Sequence, residues 1–256
     1  MDMGLSDKVI LITGAASGIG LAIAHQAAAE GAKTLILTDR DATGLAAVAE
    51  DLGDICTTIT ADLTDPDAPE TLVNTAKSRF GRLDALVNAA GLTTRASMLS
   101  GTPAIWDQLF TVNAKAAYFL MQHAISDMKA RGAPGSIVNI LSMNAHVGNP
   151  QLAIYSATKG AMVTLTRNAA HAHMADRIRV NGINLGWVAT ASEHRMQAEI
   201  LGRGPGWLAE DSATMPLGRL VTAEETARLA VFLLGCASIP MSGSIVDFEQ
   251  KVAGAL

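Results

Sequence analysis

The chain has 256 residues, 49% of them apolar, enough for one globular core without a second domain. Its formal net charge of −5 argues against a nucleic-acid partner. The N-terminus lacks a basic, apolar leader, and the most apolar later stretch, Leu229 to Met241, is interrupted by Gly235, Ser238 and Pro240, so a cytoplasmic protein without a membrane span is expected.

Short, continuous apolar runs predict strands buried on both faces at Val9 to Thr13, Thr34 to Thr38, Ala85 to Asn88, Ser136 to Leu141 and Arg179 to Asn184, with a further strand at Thr57 to Ala61. Between them, Ile19 to Glu30 stops at Gly31, Ala42 to Asp51 stops before Gly53, and Pro66 to Arg79 stops before Gly81, as helices do. Strand and helix alternate with short connections, which predicts a doubly wound α/β domain, a parallel sheet with helices on both faces, spanning 1–256 as one unit. Cys56 and Cys236 sit among apolar or small residues and are expected to be reduced, buried thiols.

The first strand runs into Thr13-Gly14-Ala15-Ala16-Ser17-Gly18-Ile19-Gly20 and then a helix. Gly14 permits a tight turn, Gly18 close backbone approach and Gly20 close packing of helix on sheet, while unpaired N–H groups at the helix start face a pyrophosphate. A glycine-rich turn alone would fit a mere tight connection, and Asp39 alone an ordinary helix cap, since Asp39-Arg40-Asp41 precedes a helix. Asp39, nineteen residues beyond Gly20, can accept hydrogen bonds from adenosine ribose hydroxyls. It would also repel a 2′-phosphate, and the loop has no Arg or Lys to neutralise one, only Arg40 beside it, so NAD is favoured over NADP. Asp62, followed by Leu63, falls where the adenine edge would lie. The cofactor set is therefore Gly14, Ser17, Gly18, Ile19, Gly20, Asp39, Arg40, Asp62 and Leu63.

Tyrosine is scarce, with two in the chain. Tyr155 and Lys159 lie four apart at a predicted helix start and share one face, so the ammonium can reach toward the phenol and lower its pKa from about 10. Ser142, at the end of a predicted strand, offers a hydroxyl at the C-terminal sheet edge, where open α/β folds bind ligands. A phenol so placed can act as a base toward a neighbouring hydroxyl, and as an acid in the reverse direction.

On these motifs nearly the whole chain resembles a classical short-chain dehydrogenase/reductase. Thr13 to Gly20 matches the family's cofactor turn, Asn88-Ala89-Ala90-Gly91 its Asn-Asn-Ala-Gly element, and Asn113, Ser142, Tyr155 and Lys159 its catalytic tetrad. The resemblance implies a Rossmann-type sheet of about seven strands, cofactor contacts from Asn88, Ala90, Tyr155, Lys159, Val188 and Thr190, and interconversion of a secondary alcohol and a carbonyl. It further implies that Lys159 binds the nicotinamide ribose, Ser142 positions the substrate oxygen and Asn113 holds a relay water. Three departures stand out: Ala89 replaces the second Asn, Asn184-Leu185-Gly186 replaces Asn-Pro-Gly, and Asp247-Phe248-Glu249-Gln250 replaces Asp-Gly-Gly.

Substrate choice should lie in Leu92 to Gly101, Met143 to Ile154 and the covering segment Ala189 to Pro216. Their Thr93, Thr94, Arg95, Asn144, His146, Asn149, Gln151, His194, Arg195, Arg203 and Trp207 are mostly polar, which favours a small hydroxylated substrate such as a sugar or polyol. A 3-oxoacyl thioester reductase and a non-catalytic NAD-binding scaffold are the alternatives. His171 and His173 diverge on a helix, so no metal is expected. The resemblance implies a homotetramer through residues 113–131 and 156–175.

Overall fold

In the first strand alternate residues face opposite ways: Ile10 and Ile12 pack in one core cluster, Val9 and Leu11 in another. Both faces are covered, which is why the strands read as unbroken apolar runs. The computed structural model describes residues 3–146 and 149–253. Its strands are β1 (Val9–Thr13), β2 (Thr34–Asp39), β3 (Cys56–Thr60), β4 (Ala85–Asn88), β5 (Gly135–Ile140), β6 (Ile178–Leu185) and β7 (Ile245–Phe248). They form one parallel, seven-stranded sheet in the order β3-β2-β1-β4-β5-β6-β7. Strand order reverses between β1 and β4, and such switch points open a crevice at the carboxyl ends of the strands.

The helices are α1 (Gly18–Ala29), α2 (Ala42–Leu52), α3 (Ala68–Phe80), α4 (Pro103–Phe110), α5 (Ala117–Ala130), α6 (Ala153–His173), α7 (Ala191–Arg195), α8 (Trp207–Ser212) and α9 (Ala223–Leu234). α1, α2 and α9 supply one core layer, through Ile23, Leu45 and Val231 among others. α3, α5 and α6 supply the other, through Leu72, Leu120 and Met162. Local signals fix the ends: the Asp41 carboxylate accepts from Thr43 N and Gly44 N at the start of α2, and Thr222 and Glu225 form a reciprocal capping box on α9.

The expected strands and helices form, with shifted boundaries. β6 is longer than Arg179 to Asn184 because Leu185 pairs with Phe248 in β7, and α3 starts at Ala68 rather than Pro66. The expectation of buried thiols is corrected: Cys56 is half-buried at the entry to β3 and Cys236 is exposed after α9, and they form no disulfide. No helix among the described residues is long and apolar enough to cross a membrane.

Candidate active site

The glycine-rich turn is shaped by what missing Cβ atoms allow. Gly14 has φ +67°, and a Cβ there would fall 2.9 Å from the Ala90 backbone. A Cβ on Gly18, at φ +56°, would lie 3.5 Å from the Thr190 methyl. Gly20 differs from its expected role: a Cβ there would run into the Gly14 carbonyl, so it lets α1 close on its own entry turn. Thr13 Oγ1 accepts from Ala89 N and Ala90 N, both at 3.1 Å, binding the turn to the end of β4. Ala89 therefore supports the strand end through its amide.

Ser17, the exposed N-cap of α1, makes no side-chain cap, and the first turn carries no acid, so the helix amides stay available. Backbone donors, absent Cβ atoms and no first-turn carboxylate fit the pyrophosphate of a dinucleotide. Asp39 closes the far side of the turn, accepting from Ala16 N at 3.2 Å and Asp41 N at 3.1 Å. Arg40 is exposed, and Asp62 is an exposed carboxylate held below its ordinary pKa, chiefly by the Thr64 backbone N–H. Ile19 and Leu63 pack half-buried on the two core layers. The Asn88 side chain turns into the sheet instead, donating to Asn139 Oδ1 at 2.8 Å and tying β4 to β5.

Asn113, Ser142, Tyr155 and Lys159 are all buried and come together from three elements. Asn113 lies in a π-helical segment, Thr111–Ala116, and π turns frequently mark functional sites. Its Oδ1 accepts from Leu92 N at 2.7 Å, and its Nδ2 donates to Leu92 O at 2.9 Å and Thr158 Oγ1 at 3.1 Å. Both amide protons are thus committed, leaving the side chain one Oδ1 lone pair. A Cβ on Gly91 would sit 3.5 Å from Asn113 Oδ1 and 3.6 Å from Lys159 Nζ, so the bare glycine joins these groups to the turn at Ala90.

Lys159 Nζ donates to Ile140 O at 2.8 Å and lies 5.7 Å from the Tyr155 ring centroid. Burial pulls its pKa down to about 8. Tyr155 moves the other way from the sequence expectation: burial raises the phenol pKa, a Ser142 hydrogen bond opposes the rise, and the Glu193 carboxylate adds to it. Desolvation of the buried phenol is the largest of these effects. Ser142 Oγ accepts from Asn144 N at 3.2 Å and Asn144 Nδ2 at 3.3 Å, which orients its hydroxyl.

Two of the three departures meet in space. The Glu249 carboxylate fills the space beside Gly186 and accepts from Trp187 N at 3.1 Å, bracing the turn that carries buried Val188 and Thr190. Beside it, Asp247 Oδ1 lies 2.8 Å from both His146 Nε2 and Asn184 Nδ2. Partial burial raises the Asp247 pKa, but these two hydrogen bonds outweigh it and hold the carboxyl below its ordinary value.

The segment after Thr190 is less of a polar lining than expected. Trp207 is fully buried, its ring tilted 31° to that of Trp187 with centroids 5.6 Å apart, and it donates to His194 Nδ1 at 3.0 Å. Arg203 reaches Asp211 at 2.6 Å and Gln197 at 3.2 Å. Glu193, missed by sequence reasoning, accepts from Trp187 Nε1 at 2.8 Å and Gln197 Nε2 at 2.7 Å. Its only local signal is its place three residues after the capping Thr190. Val147 and Gly148, within the expected substrate segment, lie outside the described residues.

The fold and site define a dinucleotide-dependent oxidoreductase of the alcohol–carbonyl type. The family model for short chain dehydrogenases matches residues 8–200, and the chain belongs to that family. It is 34% identical over 235 residues to galactitol 2-dehydrogenase of Agrobacterium fabrum, covering 90% of this chain and 91% of that one. It is 35% identical over 245 residues to 2-(S)-hydroxypropyl-CoM dehydrogenase 3 of Xanthobacter autotrophicus, covering 91% and 92%. The crystal structure of L-sorbose reductase from Gluconobacter frateurii, complexed with NADPH and L-sorbose, is similar with a TM-score of 0.92 at 30% identity, covering 100% of both chains.

Proposed function

We propose that the protein is an NAD(H)-dependent dehydrogenase of a small, neutral polyol or sugar, with Asn113, Ser142, Tyr155 and Lys159 as its catalytic set. The observation that carries the reading is the chain of contacts from Gly14 through Ala90 and Gly91 to Lys159, which joins the dinucleotide turn to the buried phenol and hydroxyl. A bound nicotinamide supplies the hydride acceptor. Tyr155 Oη takes the proton of the substrate hydroxyl, and Ser142 donates to the oxygen as negative charge builds on it. Lys159, with a pKa of about 8, is mostly protonated at neutral pH and favours the phenolate. Gly14, Ser17, Gly18, Ile19 and Gly20 cradle the pyrophosphate, Asp39 and Arg40 meet the ribose, Asp62 and Leu63 the adenine, and Ala90, Val188 and Thr190 the nicotinamide side.

The preference for NAD rests on Asp39, fixed at the loop by Ala16 N where a 2′-phosphate would meet like charge, and it stands against the NADPH held by the L-sorbose reductase. The neutral substrate rests on Glu193, whose carboxylate acts on the Tyr155 phenol and would repel an anionic substrate such as a thioether sulfonate. Galactitol and L-sorbose, in the names of two of the three relatives, agree with that chemistry, while the hydroxypropyl-CoM of the third does not. Residues 189–216 cover the substrate in this reading. Self-association runs through α4, α5 and α6, where exposed Trp106 and Tyr118 flank a groove of about 340 Å³ between Phe110, Ala114 and Leu165; light scattering should give a tetramer.

The test is initial-rate oxidation of galactitol, sorbitol, a steroid alcohol and a 3-hydroxyacyl thioester with NAD and with NADP. NAD-linked turnover of the hexitols is the expected result. Activity confined to the steroid or thioester, or a preference for NADP, would contradict the reading.

A further inference from the structure

We infer that His146 and Asp247, held by Asn184, form a recognition subsite for the hydroxyls of the substrate remote from the reacting carbon. The inference rests on the polyol reading above and deepens it. Three separate elements build this cluster. His146 lies four residues after Ser142 on the segment leaving β5, Asn184 is near the end of β6, and Asp247 is its paired residue in β7. All three therefore stand at the same carboxyl edge of the sheet as Ser142. Neighbouring strands are roughly 4.8 Å apart, so Asp247 lies about 10 Å across the sheet from the Ser142 hydroxyl. A six-carbon chain with its reacting carbon at Ser142 and Tyr155 extends over that gap.

The hydrogen-bond inventory shows what the cluster offers. Asp247 Oδ1, 2.8 Å from His146 Nε2, fixes the Nε2–H tautomer, so the Asn184 amide donates to the same carboxylate oxygen rather than to the ring. Two acceptors remain, Asp247 Oδ2 and His146 Nδ1. The side chains are 43% and 38% exposed, so both stay within reach of a ligand. Two adjacent acceptors match the two donating hydroxyls of a vicinal diol.

A structural role accounts for the cluster poorly. A half-exposed side-chain contact adds little to stability, yet the His146–Asp247 hydrogen bond is oriented by an asparagine that is 0% exposed and whose Oδ1 has no hydrogen-bond partner. An unsatisfied buried acceptor opposes folding, so its retention points to a function.

The experiment compares kcat/KM for galactitol and for 2,3-butanediol, which lacks remote hydroxyls, in the wild-type enzyme, Asp247→Asn and His146→Phe. The galactitol value should fall at least about tenfold through KM, with 2,3-butanediol kinetics, NAD affinity and melting temperature nearly unchanged. His146→Phe leaves the Asn184–Asp247 bond intact and serves as the second variant if Asp247→Asn weakens the fold. Equal losses on both substrates, or an unchanged KM for galactitol, would overturn the subsite while leaving the polyol reading in place. A wild-type enzyme that oxidises 2,3-butanediol but no hexitol would overturn that reading and the subsite with it.

Discussion

The dinucleotide turn and the C-terminal edge of the site are built in opposite ways. Around Gly14, Gly18 and Gly20 the geometry is set mainly by backbone: positive φ at Gly14 and Gly18, absent Cβ atoms and a helix start with no side-chain cap. Around Asn184, Trp187 and Thr190 it is set by side chains reaching across the chain, including Asp247 to Asn184, Glu249 to Trp187 N and Gln250 to Arg219 O. Backbone sites are robust to their surroundings and specific for a shared cofactor chemistry. Side-chain sites depend on many partners, and they are where one chain can differ from its relatives in substrate.

The Tyr155 phenol, the proposed base, stands between these two regions, and its removal should have the largest effect. Tyr155→Phe is expected to lower kcat/KM by about a thousandfold while the NAD dissociation constant, read by fluorescence quenching, stays within a few-fold. A parallel loss of binding would mean that Tyr155 belongs to the cradle rather than to the chemistry. Next comes Asp39→Ser, which removes the carboxylate bonded to Ala16 N. The ratio of kcat/KM with NAD to that with NADP should fall by roughly tenfold or more, and an unchanged ratio would show that cofactor choice is made elsewhere. The smallest effect is expected at the brace. Glu249→Ala removes the acceptor of Trp187 N, which should cost about 1 kcal/mol of stability and raise the NAD dissociation constant a few-fold, with Glu249→Gln restoring most of both. If alanine is silent in both assays, the turn at Gly186 holds its shape without help.

The same contrast explains how much was legible in the sequence. The sheet, the flanking helices, the glycine turn and the pairing of Tyr155 with Lys159 on one helix could be read because each leaves a local trace: unbroken apolar runs, glycines at fixed offsets, Tyr155 four residues before Lys159. The π turn around Asn113 left none, since its residues are ordinary for a helix and its geometry comes from packing and the bonds to Leu92 and Thr158. Glu193 and Glu249 were invisible for a related reason. An acidic residue looks solvated until folding brings Trp187 against both. Trp207 was misassigned to the substrate lining because an aromatic on a covering segment can face either way, and here the Trp187 ring and His194 draw it inward. The direction of the Tyr155 pKa was misjudged because spacing along a helix reports a nearby ammonium but not the burial of the phenol.

That pKa also offers the most direct measurement. The chain has two tyrosines, and Tyr118 is exposed, so Tyr118→Phe leaves Tyr155 as the sole phenol in an ultraviolet titration of phenolate absorbance. Without cofactor, Tyr155 should ionise above the ordinary tyrosine value of about 10, as its burial dictates. With NAD bound, the added positive charge of the nicotinamide should bring ionisation well below that value, toward the pH range in which alcohol oxidation accelerates. A phenol that ionises near 10 both with and without NAD would contradict its assignment as the base.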